Sequence, residues 1–142
     1  MESIVNREIF IVHLEDHSIY RKGMKSYLQG YLPNLQIEGF ENNEQTLEFI
    51  ENCFISKRKI DFVITDLKHP GENGFVFAKK FRALTRTYDI RIPLILISMF
   101  YDSEILNNSS EKTLFDILFP KNVTAEELVS FFEQNIEKSQ NL

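Results

Sequence analysis

The chain has 142 residues, 43% of them hydrophobic and 26% charged, a length that suits one domain around one core and is short for two. Its net charge of −5 opposes non-specific attachment to nucleic acid, which calls for a basic face, and the single Cys53 excludes an internal disulfide or a multi-cysteine zinc site. No run approaches the roughly 20 apolar residues of a membrane span, and the first eight residues lack the basic-then-apolar order of a secretory signal, so a cytoplasmic, reducing location is expected.

In chain order, residues 9–14 form an apolar run broken by His13, which suits a strand covered on both faces. Tyr20, Met24, Tyr27, Leu28 and Tyr31 then place one apolar stripe on a helix. After Pro33-Asn34, residues 35–40 alternate as a shorter strand, and Leu47, Ile50 and Phe54 mark a second helix, with Cys53 as a small core residue. The short basic cluster Lys57-Arg58-Lys59 reads as a solvated loop. Residues 62–64 form the third strand, Phe77, Phe81 and Leu84 the third helix, and residues 94–97 the fourth strand. A fourth helix is expected within 102–112, although Asn107-Asn108-Ser109-Ser110 favours caps and turns. The fifth strand is expected over 114–119, with Asp116 interrupting it and Pro120 ending it, a position tolerable at a sheet edge. Thr124-Ala125-Glu126-Glu127 reads as a capping box opening a last helix with Leu128, Phe132 and Ile136 inward.

This alternation predicts an α/β, doubly wound parallel sheet of five strands with helices on both faces, one domain over 1–142 with its core at about 9–138. After Phe132 a short polar tail remains, so no output domain is expected in the chain. In such a sheet the working site forms at the carboxyl ends of the strands. Strand one ends in Glu15-Asp16, strand three in Asp66, strand four in Ser98 and strand five in Lys121. Three carboxylates meeting in one crevice repel each other unless a cation neutralises them, and all-oxygen ligands suit Mg²⁺. A hydroxyl and an ammonium opposite them are placed to hold a transferred phosphoryl group.

Taken together, Leu14-Glu15-Asp16-His17, the run from Asp61 through Asp66 to Pro70-Gly71-Glu72-Asn73-Gly74, Ile97-Ser98 and Phe119-Pro120-Lys121 resemble the receiver domains of two-component response regulators. The resemblance spans about residues 9–132. It implies a flavodoxin-like (βα)5 fold with strand order 2-1-3-4-5 and a protein that is not itself an enzyme. It makes Asp66 the phosphoacceptor, with the Asp16 and Asp66 carboxylates and the Lys68 backbone carbonyl ligating Mg²⁺ and Glu15 acting through a metal-bound water. Ser98 is then a donor to the phosphoryl oxygens, and Lys121 pairs with the carboxylate before transfer and with the phosphoryl group after it. The implied partner is a sensor histidine kinase or phosphotransfer protein, with homodimerisation through helix four, strand five and helix five. Neither direct nucleic-acid binding nor membrane insertion is expected.

The sequence departs from the family pattern at His69 before Pro70, at Met99 after Ser98, and at Leu118, which stands where a switch Tyr or Phe is usual. Phe119 should point to the opposite side of the strand. These departures keep a second reading in view, a phosphorylation-independent pseudo-receiver that binds protein. Aspartate-nucleophile phosphatases of the haloacid dehalogenase type carry a second Asp two residues beyond the nucleophile, where this chain has Lys68. A flavodoxin needs a phosphate loop after strand one, where Glu15-Asp16 repels the anion. His17 and His69 lack the spacing of a transition-metal site, and His13 reads as a hydrogen-bonded core residue.

Overall fold

The computed structural model describes residues 4–66, 73–99, 110–136 and 140–141. Five strands build the main sheet: β1 Ile9–Leu14, β2 Leu35–Phe40, β3 Phe62–Thr65, β4 Leu94–Ser98 and β5 Ile117–Pro120. All neighbours are parallel and the order is β2-β1-β3-β4-β5, as the resemblance implies. Burial follows position. Every residue of β1, β3 and β4 is buried, whereas β2 alternates buried and exposed over its first four residues and β5 is half-buried. The continuous apolar runs are therefore the inner strands, and Pro120 sits on the edge strand.

Four α-helices cover the sheet: α1 Ser18–Tyr31, α2 Asn43–Ile55, α3 Asn73–Tyr88 and α4 Ala125–Asn135. On one face Phe10, Val12, Val63 and Leu96 pack with Ile50, Phe54, Phe77 and Phe81 from α2 and α3. On the other, Ile11, Phe62, Ile64 and Ile97 pack with Leu28 of α1 and Leu128 and Phe132 of α4. The capping box is present, with Glu127 N–H donating to Thr124 Oγ1 at 3.1 Å and Glu127 Oε1 receiving the Thr124 N–H. The predicted fourth helix falls largely outside the described residues, and Ser110–Leu114 at its end forms a 3₁₀ helix.

The fifth strand begins later than the apolar pattern suggests. Leu114 closes the 3₁₀ turn, and β5 starts at Ile117. Asp116 explains the shift: its Oδ2 accepts from Leu94 N–H and from Arg82 Nη2, both at 2.7 Å, so it ties α3 and β4 together just before β5. Arg82 also donates to the carbonyls of Leu114 and Ile92. A two-residue antiparallel ribbon joins Ile90–Arg91, just after α3, to Gln140–Asn141.

Candidate functional site

The sheet brings the ends of β1 and β3 side by side. Leu14 pairs with Thr65, Asp66 N–H donates to Leu14 O at 3.3 Å, and Glu15 N–H donates to Phe40 O at 2.9 Å. Directly beyond these bonds, Glu15, Asp16 and Asp66 each present a carboxylate oxygen, and the three oxygens lie within 4.8 Å of one another. Burial differs along the set: Glu15 is buried, Asp66 half-buried and Asp16 exposed. Three hard anionic oxygens at this spacing, graded from core to solvent, fit a divalent cation such as Mg²⁺. The Lys68 carbonyl, His69 and Phe100 lie outside the described residues.

Lys121, one residue past β5, sends its ammonium across the sheet end to this cluster. It donates directly to Glu15 Oε1 and lies 3.7 Å from Asp66 Oδ1. Glu15 also accepts from His17 N–H through Oε2 at 3.1 Å. Burial raises the Glu15 carboxyl above the usual range, and the Lys121 bond opposes that rise. Ser98 ends β4 beside β3, buried, with Pro120 as its partner across the strand pair. Met99, next to it, is 80% exposed at the rim.

The first turn of α1 contributes residues that the sequence pattern alone did not mark. His17 caps the helix, its Nδ1 accepting from Tyr20 N–H at 3.2 Å, so its ring serves the backbone. Tyr20 belongs to the apolar stripe of α1 in the sequence, yet the Lys121 ammonium sits 3.8 Å from its ring centre, a cation–π contact. Burial, then the charges of Glu15 and Asp66, push its phenol up to about 12. Arg21 donates from Nη1 to the Glu15 carbonyl at 2.6 Å. The available signal for both was position, one helical turn past the acidic pair. Asp61, at the opposite end of β3, plays no part in the cluster. It accepts from Phe10 N–H at 2.9 Å and is structural.

Other expectations resolve in the core. Cys53 is buried. His13 is a core residue, but its Nδ1 has no hydrogen-bond partner among the described residues, which departs from the expected hydrogen-bonded histidine. Leu118 joins the apolar cluster under α2 and α3 while Phe119 joins the one under α1 and α4, so the two do point to opposite faces. Arg58, within the basic loop, lies 4.0 Å over the Phe10 ring, so that loop is not merely solvated.

The model of the response regulator receiver domain matches residues 9–133. The cyclic di-GMP phosphodiesterase response regulator RpfG of Xanthomonas campestris pv. campestris (strain 8004) is 27% identical over 108 residues, covering 76% of this chain and 27% of that protein. This chain thus spans about a quarter of that relative's length. The receiver domain of the histidine kinase CKI1 from Arabidopsis thaliana, complexed with Mg²⁺ and BeF₃⁻, superposes with a TM-score of 0.75 at 15% identity, covering 93% of this chain and 92% of that one. A CheY-like response regulator receiver domain from Methylobacillus flagellatus gives 0.70 at 20% identity, with 90% and 98% covered. Among the described residues no helix is long and apolar enough to cross a membrane.

Proposed function

The chain belongs to the response regulator receiver family, and from that premise we propose that it is a cytoplasmic phosphorylation switch whose acceptor is Asp66. The observation that carries this reading is the meeting of three carboxylates with one ammonium at the ends of β1, β3 and β5. An Asp66 carboxylate oxygen attacks the phosphorus of a phosphohistidine, the P–N bond breaks, the imidazole leaves with its electron pair, and an acyl phosphate forms. No general base is needed, because the attacking group is already an anion. Positioning and charge neutralisation do the rest.

Asp16, Asp66 and the Lys68 carbonyl would hold Mg²⁺, with Glu15 acting at one remove. A cation held there supplies positive charge to the phosphoryl oxygens. Lys121 supplies the other positive charge from the opposite side, and Ser98 offers a hydroxyl hydrogen to an oxygen of the transferred group. The phosphoryl source is a sensor histidine kinase or phosphotransfer protein, which makes the chain that protein's substrate and not an enzyme in its own right. The switched face is the one formed by the expected fourth helix, β5 and α4, with homodimerisation or partner docking as the readout.

Labelling with a small phosphodonor in the presence of Mg²⁺ tests this. The wild-type chain should take up label and Asp66→Asn should take up none. Label retained at the wild-type level in Asp66→Asn would remove Asp66 as the acceptor. A folded wild-type chain that accepts no label from donor or kinase would instead favour the phosphorylation-independent binding module.

A further inference from the structure

Beside the acidic cluster, between α1 and the β1–β2 edge, lies a second and oppositely charged feature. A cavity of about 250 Å³ opens there, with Arg21, Lys22 and Lys25 of α1 along one side and Glu38 on the other. His13 and Gly39 also line it. Three cations against one carboxylate give a local excess of positive charge in a chain whose net charge is −5.

His13 is 2% exposed, and its Nδ1 has no hydrogen-bond partner among the described residues. A buried polar atom of this kind is ordinarily satisfied, by protein, water or ligand. Gly39 keeps the cavity open on the β2 side, where Arg21 lies close over it: a Cβ at residue 39 would come within 2.6 Å of Arg21 Cδ. The Arg21 head is held in turn by the Glu15 carbonyl, so the guanidinium is fixed at the cavity wall and not free to sweep through solvent. A fixed guanidinium and a lysine, with a buried imidazole among the lining residues, form a set suited to a tetrahedral oxyanion.

We infer that this cavity is a binding site for a small phosphate-bearing anion, held by Arg21 and Lys25 and hydrogen-bonded by His13. It is separate from the proposed phosphoacceptor and uses none of its carboxylates. Arg21 touches both, so occupancy here bears on the backbone of Glu15.

Heteronuclear NMR of the whole chain reads the site residue by residue. The probes are inorganic phosphate and, separately, glycerol 3-phosphate, each at constant ionic strength and against chloride. Saturable shifts are expected at the amides of Arg21, Lys25 and Gly39 and at the His13 ring nitrogens. Lys25→Glu should weaken binding by tenfold or more, and because Lys25 is exposed the fold survives the change. Tighter binding of glycerol 3-phosphate assigns the site to a phosphate monoester, and tighter binding of inorganic phosphate to the free ion. Shifts that rise without saturating, that centre on Asp66 and Ser98, or that keep wild-type affinity in Lys25→Glu overturn the inference.

Discussion

Lys121 pairs with Glu15 by direct contact, while its distance to Asp66 is 3.7 Å. The ammonium thus spends its closest interaction on the buried carboxylate, where desolvation makes an unpaired charge most costly. It also sits where it repels a second cation entering the cluster. Lys121→Met should therefore tighten Mg²⁺ binding about tenfold or more, since a positive charge a few ångströms away has been removed. The same variant without Mg²⁺ should lose about 2–3 kcal/mol of stability through the uncompensated Glu15. Titration calorimetry and urea unfolding report the two effects. Mg²⁺ affinity that stays the same or falls would show that the lysine and the metal do not compete.

Gly39 and Arg21 make a second test. No positive φ is involved at Gly39, so Ala is compatible with the backbone, but its Cβ would press on the middle of the Arg21 stem. The stem cannot yield without moving the head from the Glu15 carbonyl. Gly39→Ala should weaken Mg²⁺ binding severalfold at a cost in stability of about 1 kcal/mol. Adding Arg21→Ala to that variant should weaken it little further, because both changes break one link. Additive losses would place the Gly39 effect on some other route.

Acid stability should carry the signature of His13. Its folded-state value is lowered to about 3, first by burial and then by the charges of Lys121 and Arg21. A group depressed in this way adds stability above its unfolded value of about 6.5, and that stability drains as pH falls toward about 3. Glu15 and Asp61 act in the opposite sense, because burial raises their carboxyls and their penalty fades on acidification. The comparison is thus best made between wild type and His13→Leu. The wild type should lose about 3 kcal/mol relative to the variant between pH 6.5 and 4. Parallel unfolding curves across that range would mean that His13 protonates freely in the folded chain.

The lifetime of the proposed acyl phosphate is expected to depend on Met99, which stands 80% exposed next to Ser98 at the rim. Hydrolysis needs a water in line with the bond to phosphorus, and a long side chain there reduces the fraction of time one is present. Met99→Ala should speed loss of label severalfold, about 1 kcal/mol of barrier. Decay at the wild-type rate or slower would end the steric argument.

Some of this was legible in the residues themselves. Apolar runs announced β1, β3 and β4 because inner parallel strands are covered on both faces, and Thr124 with Glu127 announced the start of α4 because a capping box is complete within four residues. The cluster was legible too, since a parallel sheet puts the carboxyl ends of its strands together whatever the details of packing. Other features had no local sign. The chain leaves α2 through Lys57 at a φ of 66°, with Arg58 N–H bonded to Cys53 O and Lys57 N–H to Phe54 O, a termination that glycine usually marks and that no glycine marks here. Asp116 interrupts an apolar run in the sequence, and only the fold brings Arg82 and Leu94 onto its carboxylate.

Short-range periodicity and chain direction set the order of elements and which residue types reach the end of the sheet. Which of three carboxylates Lys121 grips, how Arg21 comes to lie over Gly39, and why His13 is buried at the wall of a basic cavity have no such local source. Each depends on ångström-scale distances between side chains from separate strands and helices, and those distances are set by how the helices pack on the twisted sheet.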